Sequence, residues 1–161
     1  MGKSIPRRSG PHGIVHIVAR LPIWLYRLGL GWLLDERFLM LTHVGRRSGL
    51  RRQVVLEVVD HDRAADTYLI ASGWGEYADW LQNIEHTSHM LLHVGRRRCE
   101  ASAQRLPIDQ AVQVLGEYVR RHPLAARSLS KLLAGASLDS TPASWRQMAE
   151  RVPLVVVRPF R

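Results

Sequence analysis

Cysteine and acidic residues are scarce in this sequence of 161 residues. Cys99 is the only cysteine, which excludes an internal disulfide and a cysteine metal cage and is compatible with a reducing cytoplasm. Asp and Glu number 14 against 23 for Lys and Arg, and only Lys3 and Lys131 are lysines, so arginine supplies the net charge of +9. Such a balance favours an anionic partner: nucleic acid, an acidic membrane face or a small polyanionic ligand.

The sequence also lacks an uninterrupted apolar run that would span a membrane. Residues 14–34 are largely apolar, but two arginines, a histidine and Pro22 interrupt them. We expect two helical pieces that meet near Pro22 and pack on the core of the domain, with peripheral membrane contact as the alternative. Residues 1–13 are expected to be a flexible basic arm, and no signal-peptide cleavage site is recognised, so a cytoplasmic location is expected.

Motifs that identify a catalytic or metal site by spacing alone are missing. Ser72 precedes Gly-Trp-Gly rather than forming a nucleophile elbow, and no strand is followed by the spaced glycines of a dinucleotide site. His86, His89 and His93 would gather three imidazoles on one helix, but residues 90–94 are predicted to be a strand. No metal site is therefore predicted.

The order of the predicted elements indicates an α+β domain. Apolar and β-branched runs predict six strands, at residues 38–44, 54–59, 67–71, 89–94, 98–106 and 152–158. Apolar spacing predicts a helix that buries Tyr77, Trp80, Leu81 and Ile84 on one face, and later helices at 107–122, 123–133 and 142–151. Strands joined by short turns and grouped before a helical segment suggest a small, largely antiparallel barrel, and we expect one domain over residues 14–161.

The connection between the first two strands, residues 43–52, is the most basic of the chain. It holds four arginines, two glycines and Ser48. Arginine grips phosphate or carboxylate oxygens in pairs, and the free backbone amides around glycines add uncharged donors, so this turn is a candidate anion site. A solvated basic turn is the alternative. Residues 93–97 repeat the His-Val-Gly-Arg-Arg of residues 43–47, which favours that alternative for either copy alone.

A second candidate segment follows the third strand, where the sequence reads Ala-Ser-Gly-Trp-Gly at residues 71–75. A strand, a serine-glycine turn and the start of a helix leave backbone amides free for an anion or a ring carbonyl. Trp74 lies between two glycines and is a candidate for stacking on a flat ligand, whereas packing on the N-terminal helix is the equal alternative. Tyr77 and Trp80 are expected in the core.

Three segments, taken in order, resemble the deazaflavin-dependent nitroreductase and quinone reductase family: FLMLTHVGRRSG at 38–49, ASGWG at 71–75 and DWLQNI at 79–84. The resemblance extends from near Pro22 to Val119, and residues 153–157 resemble the last strand of the family. It implies a split β-barrel related to flavin-binding oxidases. The implied cofactor is the deazaflavin coenzyme F420, whose phosphate and polyglutamate tail are strongly anionic.

Carried over to this chain, the resemblance implies two groups of cofactor-binding residues. The phosphate and tail would lie at Arg46, Arg47, Ser48, Gly49 and Arg52. The deazaflavin ring would lie against Ala71, Ser72, Gly73, Trp74 and Gly75, with Trp80 and Asn83 on the helix of the family. The implied reaction is a hydride transfer from reduced F420 to a small electrophilic acceptor, and no catalytic residue is assigned.

The chain departs from the menaquinone-reducing members at several positions. Gly73 stands where they have lysine, Trp74 where they have glycine, and Leu81 where tyrosine is usual. No tyrosine follows His122-Pro123, although those members carry several around a Tyr-Pro step. The acceptor, whether a quinone, a nitroaromatic or an activated alkene, is therefore left open.

Two other functions are compatible with the residues. The first is a protein that binds flavin mononucleotide (FMN) or haem on the same barrel, since a fold does not fix a function. The second is a basic module without enzymatic activity that binds nucleic acid or an anionic membrane. For the reductase, a small-molecule acceptor is the expected partner, nucleic acid is not, and both a monomer and a homodimer are open.

Overall fold

Six antiparallel strands form a closed barrel in the computed structural model, which describes Leu28 and residues 36–124 and 141–160. In order around the barrel they are β1, β2, β3, β6, β5 and β4, and β4 pairs again with β1. The predicted α+β split barrel is confirmed. The strands are β1 (Phe38–Val44), β2 (Arg51–Asp62), β3 (Thr67–Ala71), β4 (His89–Val94), β5 (Arg97–Arg105) and β6 (Leu154–Pro159), and the helices are α1 (Asp79–His86), α2 (Ile108–Arg121) and α3 (Pro142–Arg151).

The antiparallel register places the short connections at two opposite ends of the barrel. Val94, the last residue of β4, pairs with Leu39 near the start of β1, so the β4–β5 turn lies at the end where β1 begins. The β2–β3 turn lies there too, because β2 runs antiparallel to β1. We call this the turn end. The β1–β2 connection and the segment after β3 lie at the other end, which we call the loop end.

The interior of the barrel is filled by aliphatic side chains from the strands and from α1. Leu41, Ile70, Leu92 and Val155 are completely buried there, and Leu81 of α1 packs among them. The outer surface of β3 and β6 is covered by α2 and α3, through contacts that include Leu115 and Met148. Because β6 is buried on both faces, its apolar residues form a continuous run rather than an alternating one.

Helices α2 and α3 approach each other closely at a glycine. A Cβ atom built on Gly116 would lie 2.6 Å from Cζ3 of Trp145, so the indole occupies the space that any other residue would need. Thr141 caps the N-terminus of α3, and its side chain accepts a hydrogen bond from the Ser144 amide at 3.3 Å. Pro142 stands in the first turn of this helix, as expected, because a proline there removes no helical hydrogen bond.

Several predicted boundaries change in the structure. Strand β2 extends beyond the predicted residues 54–59 because its pairing continues to Val44–Arg51 on one side and Asp62–Thr67 on the other. Strands β5 and β6 are each displaced by one or two residues from their predicted bounds. The prediction that Tyr77 shares the buried face of α1 is wrong, since Tyr77 ends a short 3-10 turn (Gly75–Tyr77) and is 82% exposed.

Other predictions fall on parts of the chain that lie outside the described residues. These are the basic arm at residues 1–13, the N-terminal helix before residue 36, and nearly all of the helix expected at 123–133. Within the described ranges, no helix is both long and apolar enough to cross a lipid bilayer.

Candidate functional site

The β1–β2 connection is a tight, closed loop that presents its arginines at the loop end. The amide of Gly45 donates to the Leu50 carbonyl at 2.9 Å, and the amide of Gly49 donates to the Gly45 carbonyl at 2.8 Å. Gly49 has a φ of 66°, which glycine adopts without strain. We call residues 45–52 the arginine loop. Its closure fixes the backbone and leaves Arg47, Ser48 and Gly49 exposed.

Arg46 is directed into the protein rather than into solvent. Its guanidinium donates to Oδ1 of Asp79 at 3.1 Å, to Oδ1 of Asn83 at 3.0 Å, and to Oε1 of Gln82. Its backbone amide also donates to Oδ1 of Asn83, at 3.0 Å. Asp79, Gln82 and Asn83 lie on one face of α1, because residues three and four apart are neighbours on a helix. Arg46 therefore joins the arginine loop to α1.

Asn83 is buried and connects the arginine loop to β1. Its Oδ1 accepts both hydrogen bonds from Arg46, which directs its Nδ2 toward Nδ1 of His43 at a distance of 3.3 Å. Burial lowers the pKa of His43 below its usual value of 6.5, and the charge of Arg52 acts in the same direction. His43 is therefore neutral at neutral pH, and its Nδ1 accepts a hydrogen bond from Asn83.

Gln82 connects the arginine loop to Glu76, the residue directly after the second candidate segment. Its Oε1 accepts from Arg46, while its Nε2 donates to the backbone carbonyl of Glu76 at 3.1 Å. The carboxylate of Glu76 in turn pairs with Arg105 at the end of β5, and Arg105 also pairs with Glu85 of α1 at 3.3 Å. Gln82 thus bonds both to the arginine loop and to the residue that follows the second candidate segment.

The turn after β3 is held from beneath by Ser72. Ser72 is completely buried, its amide donates to the Pro153 carbonyl at 2.9 Å, and its hydroxyl donates to the Gly75 carbonyl at 2.7 Å. Gly75 has a φ of 67°, and a Cβ there would also lie 3.4 Å from the Arg151 carbonyl. The turn therefore keeps Gly73 and Trp74 at the surface, and the Trp74 residue is 62% exposed.

The sequence-predicted site residues gather at the loop end, but they divide into exposed and buried groups. The exposed group can touch a ligand directly: Arg47, Ser48, Gly49, Arg52, Gly73 and Trp74. The others, which are buried or only partly exposed, support the two segments: Arg46, Ala71, Ser72, Gly75, Trp80 and Asn83. Trp80 lies in the barrel core, as predicted.

Sequence reasoning missed three residues that shape this site: His43, Asp79 and Gln82. The signal for two of them was present, since Asp79 and Gln82 share a helical face with Asn83. A polar face on a helix whose other face is apolar predicts a solvated surface as readily as a hydrogen-bonded one, so the pattern alone could not select Arg46 as the partner.

The repeated Gly-Arg-Arg turn lies away from this site, at the turn end. Nη1 of Arg97 contacts both carboxylate oxygens of Asp66, at 2.8 and 2.7 Å. The imidazole of His61 stacks on Tyr68 with 4.0 Å between ring centroids. A cavity of about 450 Å³ opens between these groups, with acids and arginines both in its wall: Glu36, His61, Asp66, Tyr68, Val94, Gly95, Arg96 and Arg97.

The arginine loop fits a polyanion better than the turn end does. No acidic residue occurs among residues 45–52. Within the described part of the chain, the side chains of Arg47 and Arg52 form no ion pair, and the amides of Arg47 and Ser48 donate to no protein acceptor. Two cations and two backbone donors are thus available to phosphate or carboxylate oxygens.

Comparison with known proteins gives a family and a fold. The family model described as F420H(2)-dependent quinone reductase matches residues 26–128, whereas no curated protein matches in sequence. A solved F420-H2 dependent reductase, FDR-A, has a TM-score of 0.50 and 18% identity, with 78% of this chain and 96% of that chain covered.

Two further solved structures share the barrel. A protein described as a domain-swapped dimer has a TM-score of 0.52 and 16% identity, with 91% of this chain and all of the other covered. The haem storage protein HutZ from Vibrio cholerae has a TM-score of 0.51 and 12% identity, with 81% and 86% covered. At these identities the similarity to solved structures establishes the fold alone.

Proposed function

Because the chain belongs to the F420H(2)-dependent quinone reductase family, and is thus an oxidoreductase with coenzyme F420 as its cofactor, we propose that it reduces a small electrophilic acceptor. The acceptor class comprises quinones, nitroaromatics and activated alkenes. Reduced F420, when bound, supplies a hydride, that is, two electrons and a proton delivered together. The acceptor then takes a second proton from water, so no side chain is assigned as a general acid.

The observation that carries the proposal is the set of donors on the arginine loop that have no partner among the described residues. We assign the phosphate and the anionic tail of F420 to the exposed residues Arg47, Ser48, Gly49 and Arg52. The side chains of Arg47 and Arg52 and the amides of Arg47 and Ser48 supply the donors. A charge-assisted hydrogen bond is about twice as strong as a neutral one, so a few such contacts hold a polyanion firmly. The rest of the protein has only to position the ring.

We assign the deazaflavin ring to the turn at residues 71–75. Gly73 presents backbone without a side chain, and Trp74 presents an exposed indole beside it. Ala71, Ser72 and Gly75 act by fixing the shape of this turn, and Trp80 of α1 acts from the core beneath it. Gln82 bonds to the arginine loop and to Glu76 directly after this turn, which supports a defined spacing between the surfaces for tail and ring.

The proposal is tested by binding and by turnover. The purified protein is titrated with F420 by calorimetry, and oxidation of F420H2 is then followed with a quinone, a nitroaromatic and an activated alkene. We expect saturable binding and acceptor-dependent oxidation. Tight binding of FMN or haem with no binding of F420 would favour the alternative cofactors. Strongly salt-dependent binding to any DNA or RNA, without turnover, would favour the basic module.

The assembly and location of the protein are also proposals. We propose a single catalytic domain over residues 14–161 that works in the cytoplasm as a monomer or a homodimer, and a relative described as a domain-swapped dimer supports the dimer. Peripheral membrane contact through residues 14–34 remains part of the proposal because of their apolar and aromatic composition. Sedimentation velocity tests the oligomeric state, and flotation with anionic vesicles tests the membrane contact.

A further inference from the structure

We propose that Asn83 is a positioning residue for cofactor binding: together with His43 it holds the arginine loop in its binding conformation, and it releases the loop when His43 is protonated. The inference rests on the proposed function, in which the arginine loop binds the anionic part of F420. It gives Asn83 an indirect role, since the side chain is buried and both ends of its carboxamide bond to protein groups.

The orientation of the Asn83 carboxamide is set by the loop. Two donors of Arg46, the backbone amide and the guanidinium, converge on Oδ1 at 3.0 Å each. A carbonyl oxygen is therefore required on that side, and the amino group must face β1. There Nδ2 lies 3.3 Å from Nδ1 of His43, which must be an acceptor for the bond to form.

Protonation of His43 makes this arrangement impossible. An imidazolium has a hydrogen on both ring nitrogens, so Nδ1 and Nδ2 would then both be donors pointing at each other. Rotating the carboxamide would satisfy His43 but would present an amino group to the two donors of Arg46. One of the two contacts is lost in either case.

The groups around His43 set the pH at which this happens. Arg52, opposite His43 on β2, disfavours the imidazolium, whereas Asp79 of α1 and the backbone of Val44 favour it. Burial is the largest influence and lowers the pKa. The neutral form therefore persists at pH 6.5 and below it, and the hydrogen bond is lost only as the pH falls through the lowered pKa.

The link to the cofactor is the backbone of the loop. The amide of Arg46 immediately precedes Arg47 and Ser48, whose amides and side chains are assigned to the anion. Without the Asn83 bond, the loop keeps its own closing bonds but loses the bond that ties the Arg46 amide to α1. The position of these donors relative to α1 must then be set at the moment of binding, and the entropy of that ordering is subtracted from the affinity. Acidification should thus weaken binding of F420, although an added positive charge on His43 would by itself attract an anion.

The experiment measures the dissociation constant of F420 by calorimetry between about pH 8 and about pH 5.5, the range in which histidine changes charge. For the unmodified protein we expect the constant to rise by about tenfold across this range, the scale of one lost hydrogen bond. The Asn83→Leu variant should bind F420 about tenfold more weakly than the unmodified protein does at about pH 8. Its affinity should not change with pH, because its loop is already released.

Asn83→Asp provides the readout that a general loss of structure would not produce. A carboxylate keeps an acceptor for Arg46 and also accepts from protonated His43, so the loop stays held at acid pH. Its added negative charge weakens F420 binding at every pH, but the ratio of affinities between the two ends of the range should be close to one. His93→Asn is the matched control: His93 also has a pKa lowered by burial, and its removal should leave the acid dependence intact.

Comparing each variant with the unmodified protein at the same pH removes any titration of F420 itself. Constant or rising affinity of the unmodified protein at acid pH, or an undiminished acid loss in Asn83→Asp, would overturn the inference. Failure of the unmodified protein to bind F420 at any pH would instead reject the proposed function. In that case, hydrogen exchange of the Arg46 amide tests directly whether Asn83 holds the arginine loop. Protection of this amide from exchange must disappear at acid pH and in Asn83→Leu but persist in Asn83→Asp.

Discussion

Arg46 and Arg96 occupy the same position in two His-Val-Gly-Arg-Arg segments, yet they lie at opposite ends of the barrel. The register of β1 and β4 is the cause, because Leu39 pairs with Val94 and the two segments therefore end their strands in opposite directions. Their surroundings differ accordingly. At the turn end Arg97 is neutralised by Asp66, whereas Arg47 at the loop end forms no ion pair within the described residues.

Arg47→Ala should weaken F420 binding without unfolding the protein. We expect a loss of about 1–3 kcal/mol, the scale of a charge-assisted hydrogen bond left unmade. Calorimetric titration gives the affinity, and the melting temperature should be unchanged because the side chain is exposed. Arg96→Ala and Arg97→Ala remove the same charge at the turn end and should leave the affinity nearly unaltered. Equal losses at both ends would mean that a general basic surface had been mistaken for a site.

Arg46→Ala should reduce both affinity and stability, which separates it from Arg47→Ala. The substitution removes the hydrogen bonds of the guanidinium to Gln82 and Asn83, and leaving such groups unpaired costs about 1–3 kcal/mol. The exposed ion pair with Asp79 contributes little. Urea denaturation should show a lower free energy of unfolding. Arg46→Lys should not restore it, because an ammonium lacks the planar fork that reaches several oxygens. If lysine fully restored the free energy of unfolding, Arg46 would act only through its positive charge.

Trp74→Gly should change the preference among acceptors more than the affinity for F420. The indole is exposed beside the turn assigned to the ring, so its removal enlarges the space available to the acceptor. We expect the F420 affinity to stay within about 1 kcal/mol, since the anionic tail is held elsewhere. The measurement is kcat/KM for F420H2 oxidation with a panel of quinones and nitroaromatics.

Trp74→Ala is the companion variant, because alanine retains the backbone stiffness that glycine lacks. The backbone of Trp74, with φ of −92° and ψ of 9°, suits alanine. Both variants should show the same altered acceptor profile. A lower melting temperature with an unchanged profile would instead place the indole against the body of the protein and reject its role at the site.

Gly116→Ala should destabilise the fold and leave the site intact. The new methyl group would lie 2.6 Å from the indole of Trp145, so α2 and α3 must move apart or the ring must rotate. Overpacking of this kind costs about 1–3 kcal/mol. Thermal unfolding of the single variant and of Gly116→Ala combined with Trp145→Leu provides the check. The smaller leucine side chain should recover part of the stability lost in Gly116→Ala. If the losses of the two single substitutions simply add, the contact between residues 116 and 145 is not the cause.

The sequence by itself determined the strands and the three α-helices of the described residues, and it marked the residues that gather at the loop end. Local patterns were sufficient for this. The apolar and β-branched residues of 38–44 and 54–59 predict β1 and β2, and the apolar spacing of residues 108–119 predicts α2. The charge of the arginine loop and the glycines of residues 71–75 also marked both parts of the proposed site before their spatial relation was known.

Only the tertiary structure decided which of those residues face a ligand and which support it. Arg46 and Arg47 are adjacent and identical in chemistry, but Arg46 bonds to Asn83, 37 residues further along the chain, and Arg47 faces solvent. Barrel closure brings the two together because it packs α1 against the end of β1. Local sequence sets the conformation that a segment prefers, whereas the partner of a polar side chain depends on which distant segment the fold places within about 3 Å of it.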